Sequence, residues 1–341
     1  MKRRTLRHFA TLCAALLAVA CSDVVGPLAA TDYGSLFDDL WRQFDLHYSY
    51  FDLAQVNWDS LGAYYRPIAL SAPNDHQFAR VLAAMLAELK DMHVSLTPGS
   101  AGGTMRYVSR FDTTATYFNQ GATLSRYVRL PIATPGGHMQ FGLVTDSVGY
   151  ARIAAFDGGN WAGDMDDAIR GMPGMHALII DVRDNPGGNY VLAADLARRF
   201  TNQHRVYGYT RRRNGPRHGD FTDYTAESID PAGVHFDGRV LVLANRHSMS
   251  SAEDFVLAMR AIPGVLVVGD TTAGATGGPI VRELANGWTY ELSEWIEYTP
   301  DHAPFESIGL PPTIVARTTA DQAARGVDGV LERALELARQ P

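Results

Sequence analysis

Three serines, Ser248, Ser250 and Ser251, lie within the run Asn245-Arg246-His247-Ser248-Met249-Ser250-Ser251-Ala252-Glu253. The apolar segment Val240–Ala244 before it reads as a buried strand. Phe255, Val256, Met259 and Ile262 after it fall at helical spacing. The serines therefore sit where a strand ends and a helix begins. Backbone N–H groups are free at such a helix start, and the helix dipole favours negative charge there. A serine in that place can be a nucleophile, with the next N–H as half of an oxyanion hole. The same residues also suit plain helix capping, and the run alone does not choose between the two.

A second strand-to-helix turn is Asp181-Val182-Arg183-Asp184-Asn185-Pro186-Gly187-Gly188, after the apolar run Ala177–Val182. Paired glycines allow positive φ and a close approach of backbone to a ligand, and their N–H groups can cradle an anion. The spacing fits neither a dinucleotide nor a P-loop fingerprint, so a tight turn is the simpler reading of this segment by itself. His93, in Lys90-Asp91-Met92-His93, stands at a helix-to-strand junction, and histidine is the residue type most often used as a general base. A single histidine there is equally a structural hydrogen-bonding residue. His247, three residues before Ser250, is a rival base.

These residues need elements to hold them. Leu36, Phe37, Leu40, Trp41 and Phe44 make one apolar helical face. Phe78, Val81, Leu82, Met85, Leu86 and Leu89 make another, with Asn74 or Asp75 placed to cap it. Residues 21–92 thus read as a helical domain. Residues 93–146 carry short β-like runs between glycine-rich turns and read as a small β element or flap. From residue 147 to 317 strands and helices alternate, with strands at Gly149–Ile153, Ala177–Val182, Val240–Ala244 and Val265–Val268. That is an α/β core with buried, β-branched strands. Residues 318–341 read as a closing helix. Arg211, Arg212, Arg213, Arg217 and His218 form a basic cluster in a Gly/Pro segment, either a solvated loop or a grip for a substrate carboxylate.

The chain has 341 residues and a formal net charge of −7, although its first twenty residues carry Lys2, Arg3, Arg4 and Arg7 and no acid. An acidic body argues against a nucleic-acid partner. The only cysteines are Cys13 and Cys21 and the only lysines Lys2 and Lys90, so the body beyond residue 21 has neither a disulfide nor a thiolate metal site. A basic start, the apolar stretch Phe9–Ala20 and small residues before Cys21 make residues 1–20 a signal peptide. The segment resembles a bacterial lipoprotein signal, with Ala18-Val19-Ala20-Cys21 as the lipobox and Cys21 the lipidation site. The alternative is an ordinary cleaved secretory signal. Either implies export, to the periplasm or cell surface, and the first implies a lipid anchor to the membrane.

In order along the chain, Asp181–Gly188, Asn245–Glu253, Gly269–Gly274 and Glu306–Pro312 resemble the tail-specific, or C-terminal processing, serine peptidase family. Gly149–Ile153 and the Asp91-Met92-His93-Val94 junction match as well. The resemblance implies a Clp-protease/crotonase-like core, with Ser250 as nucleophile and a peptide or protein as substrate. It implies no metal and no cofactor. The family has a Ser/Lys form, with lysine just after the Thr-x-Gly turn, but Thr272-Ala273-Gly274-Ala275 puts alanine there. The tricorn-like form uses a histidine from the N-terminal part and a glutamate near the C-terminus, and His93 and Glu306 match those positions. Ser251 with Gly187 or Gly188 would form the oxyanion hole. Met92 stands where that form has a serine, Thr313 replaces the common aspartate after Pro312, and no substrate-gripping PDZ domain is apparent. A carrier or binding module on the same fold is the competing functional class.

Overall fold

The computed structural model describes residues 32–99, 106–110, 112–134 and 139–340. Residues 1–20, which the sequence reads as a signal peptide, and Cys21 lie outside the described residues.

The chain opens on four helices, α1 (Tyr33–His47), α2 (Phe51–Ala54), α3 (Trp58–Leu70) and α4 (Asp75–Ala87). Side chains of Asp32, Asn57 and Asn74 accept hydrogen bonds from the first turns of α1, α3 and α4, satisfying N–H groups that a helix start leaves open. Their apolar faces meet in one core containing Phe37, Phe44, Trp58, Phe78, Leu82 and Met85. Strands β1 (Ser95–Thr97) and β2 (Tyr107–Val108) follow, then α5 (Gln120–Tyr127), β3 (Arg129–Ala133), β4 (Met139–Thr145) and β5 (Val148–Ile153). Next come α6 (Trp161–Gly171), β6 (Ala177–Asp181), α7 (Tyr190–Ala197), β7 (Arg205–Arg212), β8 (Thr225–Ile229), β9 (Arg239–Ala244) and α8 (Ser251–Arg260). The chain closes with β10 (Leu266–Gly269), β11 (Pro279–Glu283), β12 (Thr289–Ser293), β13 (Trp295–Tyr298), β14 (Ile314–Val315), α9 (Ala320–Ala324) and α10 (Gly329–Ala338).

The central sheet has the order β14-β10-β9-β6-β5-β4-β3. Its strands from β14 to β5 pair in parallel, and β4 and β3 form an antiparallel edge. Alternate residues of a strand face opposite sides. Ile180, Val242 and Ala244 accordingly pack with residues of α6, α7 and α8, while Ile179, Leu241 and Leu243 pack with Leu331, Ala334 and Leu335 of α10. Burial on both faces is why these strands read as unbroken apolar runs.

Three boundaries drawn from the sequence move. Segment 93–146 is not one β element. Strands as short as β1 and β2 cannot bury a face alone, and they join β11 and β12 in the sheet β11-β12-β1-β2, where Leu96 lies opposite Tyr290 and both are buried. Strands β3 and β4 go to the central sheet instead, with α5 between the two groups. The range 147–317 is correspondingly not all core, since β11 and β12 extend the helical domain's sheet. The closing segment is two helices rather than one, divided where Gly326 takes φ 67° and Asp328 caps α10.

The arginine cluster is only partly a loop, with Arg217 and His218 in a turn. Arg211 and Arg212 belong to β7, paired with β13. Arg213 donates to the carbonyls of Tyr48 and Asp45, and His218 bonds Asp45. The cluster joins the helical domain to the core, and its cations are already engaged.

Candidate active site

The loops that leave the C-terminal ends of the adjacent parallel strands β6, β9 and β10 converge on one edge of the sheet, the usual place for a site in an α/β fold. The loop after β9 carries Ser250, the N-cap of α8. Its backbone sits at φ 54°, ψ −128°, a conformation that only glycine adopts without strain. The Ser250 N–H donates to the carbonyl of Ala275 at 2.9 Å. Glu253, in the first turn of α8 and fully buried, gathers the opposite loop. Its carboxylate accepts from Thr272 Oγ1 at 2.5 Å, from Gly274 N and Ala275 N at 2.8 Å each, and from Ser250 N at 3.2 Å. Burial pushes its pKa up to about 7, against the pull of these hydrogen bonds.

His93 is placed by a turn after α4. Lys90 takes φ 54°, and Asp91 Oδ1 accepts the His93 N–H at 2.7 Å, an Asx-turn. Asp91 Oδ2 accepts from Ser293 of β12. Asp91 thus holds the backbone of His93 and makes no hydrogen bond to its ring. The ring Nδ1 lies 3.1 Å from the carbonyl oxygen of Thr276. A carbonyl only accepts, so Nδ1 carries the proton and Nε2 is the basic nitrogen of the neutral ring.

Glu306 meets the same residue from the other side. Its Oε2 accepts from Thr276 N at 2.7 Å and from Thr276 Oγ1 at 3.0 Å. Burial, with the neighbouring Asp91 charge next, pushes Glu306 well above the ordinary carboxylate range, against the Thr276 hydrogen bonds. The Glu306 loop is pinned to the Thr272–Gly274 turn by Ser307 N to Gly274 O at 2.7 Å and by Leu310 N to Thr272 Oγ1 at 2.7 Å.

Ser250, His93 and Glu306 are thus brought to one short turn, by two consecutive peptide groups. The Ala275 carbonyl receives Ser250, the Thr276 carbonyl receives His93, and the Thr276 N–H reaches Glu306. Among the described residues no hydrogen bond joins Ser250 Oγ to His93 or His93 to Glu306. Catalytic hydrogen bonds commonly close only when substrate is present. Ala275 is fully buried against Met92 and Ala273, and Lys90 is exposed.

The two glycines differ in their availability. Gly187 packs so tightly on the nucleophile loop that a Cβ on it would stand 2.6 Å from Ser250 Cβ and 2.9 Å from Ser251 N. Its N–H is spent on Asn185 Oδ1 at 2.8 Å. Gly188 forms a parallel bridge with Phe156, whose bonds use Gly187 O and Asn189 N. The peptide groups of Gly188 itself therefore face the other way, and its carbonyl accepts the Ser251 hydroxyl at 2.8 Å. Its N–H and that of Ser251 have no hydrogen-bond partner among the described residues.

His247 stands apart from this arrangement. Its Nδ1 lies 3.2 Å from Asp184 Oδ1, and it lines a cavity of about 400 Å³ with Met92, Val108, Arg110, Pro186 and Met249. Met92, Pro186 and Met249 each immediately precede a site residue, so the cavity adjoins the site. Tyr50, Thr276 and the organising part of Glu253 were not singled out by sequence. Their contacts join segments remote along the chain, and only the Ser250–Glu253 spacing, that of a capping box, gives a local signal. No group of histidine, cysteine and acidic side chains suited to a metal occurs among the described residues.

Fold and site together define a mixed α/β protein with a Clp-protease/crotonase-like core and an N-terminal helical segment. The chain belongs to peptidase family S41: that family's profile matches residues 147–316, and the Tricorn protease C1 domain matches residues 29–87. Carboxy-terminal processing protease CtpB of Bacillus subtilis is 27% identical over 173 residues, which cover 50% of this chain and 34% of that protein. This chain spans about a third of the length of the curated relatives it matches. The crystal structure of a candidate peptidase from Parabacteroides merdae superposes with a TM-score of 0.82 at 29% identity, covering 90% of this chain and 97% of that one. Tricorn protease superposes with a TM-score of 0.58 at 15% identity, over 91% of this chain and 37% of that one, a likeness of fold alone.

Proposed function

We propose that the protein is a serine peptidase that cleaves peptide bonds through an acyl-enzyme on Ser250. The observation that carries the proposal is the Ala275–Thr276 turn, whose consecutive peptide groups engage Ser250, His93 and Glu306. Serine is a weak nucleophile without a base. His93, with Nδ1 protonated, takes the Ser250 proton on Nε2 as Oγ attacks the scissile carbonyl. The oxyanion that forms is met by the N–H groups of Ser251 and Gly188. Gly188 suits this better than Gly187, whose N–H is already committed to Asn185. The tetrahedral intermediate expels the amine, which leaves with the proton from His93. Water then attacks the ester by the same route in reverse, releasing the acid and restoring Ser250. The cavity beside Met92, Pro186 and Met249 receives a substrate side chain. Glu306 supports the imidazole through Thr276. No cofactor or metal enters any step.

The test is hydrolysis of a fluorogenic peptide library by wild type, Ser250→Ala and His93→Ala. Both variants are expected to fold and to lose turnover. A Ser250→Ala chain as active as wild type would overturn Ser250 as nucleophile, and a well-folded wild type with no turnover would favour a binding module.

The same proposal includes export and a lipid anchor on Cys21, supported by the basic and apolar start of the chain and the lipobox-like Ala18–Cys21. Cys21→Ser should move the protein from the membrane to the soluble fraction. A wild type that is already soluble would remove the anchor from the account.

A further inference from the structure

Thr276 does more than lend its peptide group. Its hydroxyl lies 2.9 Å from the hydroxyl of Tyr50 and 3.0 Å from Glu306 Oε2. Thr276 has one hydroxyl proton, and it goes to Glu306, so Tyr50 is the donor to Thr276. Tyr50 and Thr276 are both fully buried, and Tyr50 comes from the helical domain, just before α2. A continuous path runs from Tyr50 Oη through Thr276 Oγ1 to Glu306, and from the Thr276 carbonyl to His93 Nδ1. Asp91 does not take this part, since its two oxygens are occupied by the His93 backbone and Ser293.

We infer that Thr276, held by Tyr50, is the positioning residue through which Glu306 orients His93, and that the helical domain completes the site through that one hydroxyl. The inference rests on the peptidase reading above. A buried network of this kind is worth most when every member is satisfied. Removing the hydroxyl leaves Tyr50 Oη and Glu306 Oε2 each short of a partner and frees the Thr276 peptide to shift by the fraction of an ångström that matters for proton transfer.

The experiment is the inactivation kinetics of the whole mature chain with a fluorophosphonate, which needs no knowledge of the natural substrate. Thr276→Val keeps the size and β-branching and loses the hydroxyl. Its maximal inactivation rate should fall about tenfold to a hundredfold, the range for a buried group left short of a hydrogen bond, with the half-saturating concentration unchanged. Thr276→Ser should restore most of the rate. Tyr50→Phe should reduce it in the same sense by a smaller factor, and serves if Thr276→Val fails to fold. Inactivation of Thr276→Val at the wild-type rate, or an equal loss in Thr276→Ser, would overturn the inference while leaving Ser250 as nucleophile. A wild type that is never labelled at Ser250 would overturn the peptidase reading, and this inference with it.

Discussion

Ser250 holds its place against its own backbone preference. A non-glycine residue at φ 54°, ψ −128° costs on the order of 1–3 kcal/mol, and the bonds of its N–H to Ala275 and Glu253 keep it there. Two inactive variants should therefore differ in stability. Ser250→Gly is expected to unfold at higher denaturant than Ser250→Ala, by about 1 kcal/mol; identical midpoints would mean that the backbone stores no strain. The two histidines separate just as cleanly. His93 is oriented by Thr276 and turns its basic nitrogen free. His247 is engaged with Asp184 and faces the cavity. His93→Ala should cost about a thousandfold or more in kcat, and His247→Ala less than about tenfold, seen chiefly in KM. The reverse order would transfer the role of base to His247. The lipid anchor proposed on Cys21 belongs to the same scale and is tested by fractionation.

The helix α8 is the element that turns a sheet edge into a site, and Glu253 is its anchor. With four donors converging on one buried carboxylate, Glu253→Ala should cost about 3 kcal/mol or more, because buried N–H groups lose their only acceptor. Helix α10 is tied just as firmly. Arg183, fully buried, bonds Asp181 at the end of β6 and Asp328 at the start of α10. Breaking such a pair from one side costs about 3–5 kcal/mol, the loss expected for Arg183→Met. Arg183 holds the Asp328 carboxyl below its ordinary value of 3.8, against the burial that would raise it. A depressed folded pKa gives stability that is present above pH 3.8 and lost as the pH falls below it. Asp328→Asn should therefore flatten the acid limb of the stability curve, read by urea denaturation between pH 5 and 3; an unchanged acid limb would contradict the pairing. Much of this level was legible beforehand. Strands β5, β6, β9 and β10 and helices α6, α7 and α8 declare themselves through buried apolar runs and helical spacing in the sequence. The pairing of β1 with β12 did not, because a three-residue strand shows no pattern of its own. The commitment of the Gly187 N–H was equally hidden, since it turns on the Asn185 side chain.

Across the whole molecule, buried acids shape the response to pH. Burial raises Glu253 to about 7 and lifts Asp254, Glu297 and Glu306 above their ordinary values, with Asp254 and Glu297 hydrogen-bonded to each other. A raised folded pKa gives stability that is complete below the unfolded value and lost as the pH rises through the folded one. For Glu253 that window runs from 4.5 to about 7 and amounts to about 3 kcal/mol. The folded chain should accordingly resist urea better at pH 5 than at pH 8, and a midpoint that climbs steadily to pH 8 would contradict the assignment of these acids. The helical domain and the core act as one unit here. His93 follows the end of the first, Ser250 and Glu306 belong to the second, and the Thr272–Thr276 turn joins them. The functional residues were readable one by one as candidates, but their common meeting point on Thr276 depends on tertiary contacts that no local spacing encodes. The central claim is that Ser250 is an activated nucleophile. The most direct measurement treats the purified mature chain with a fluorophosphonate and maps the modified peptide, beside Ser250→Ala. The account predicts one adduct, on Ser250, that is absent from the variant. A well-folded wild type left unmodified, or one modified equally in Ser250→Ala, would contradict it.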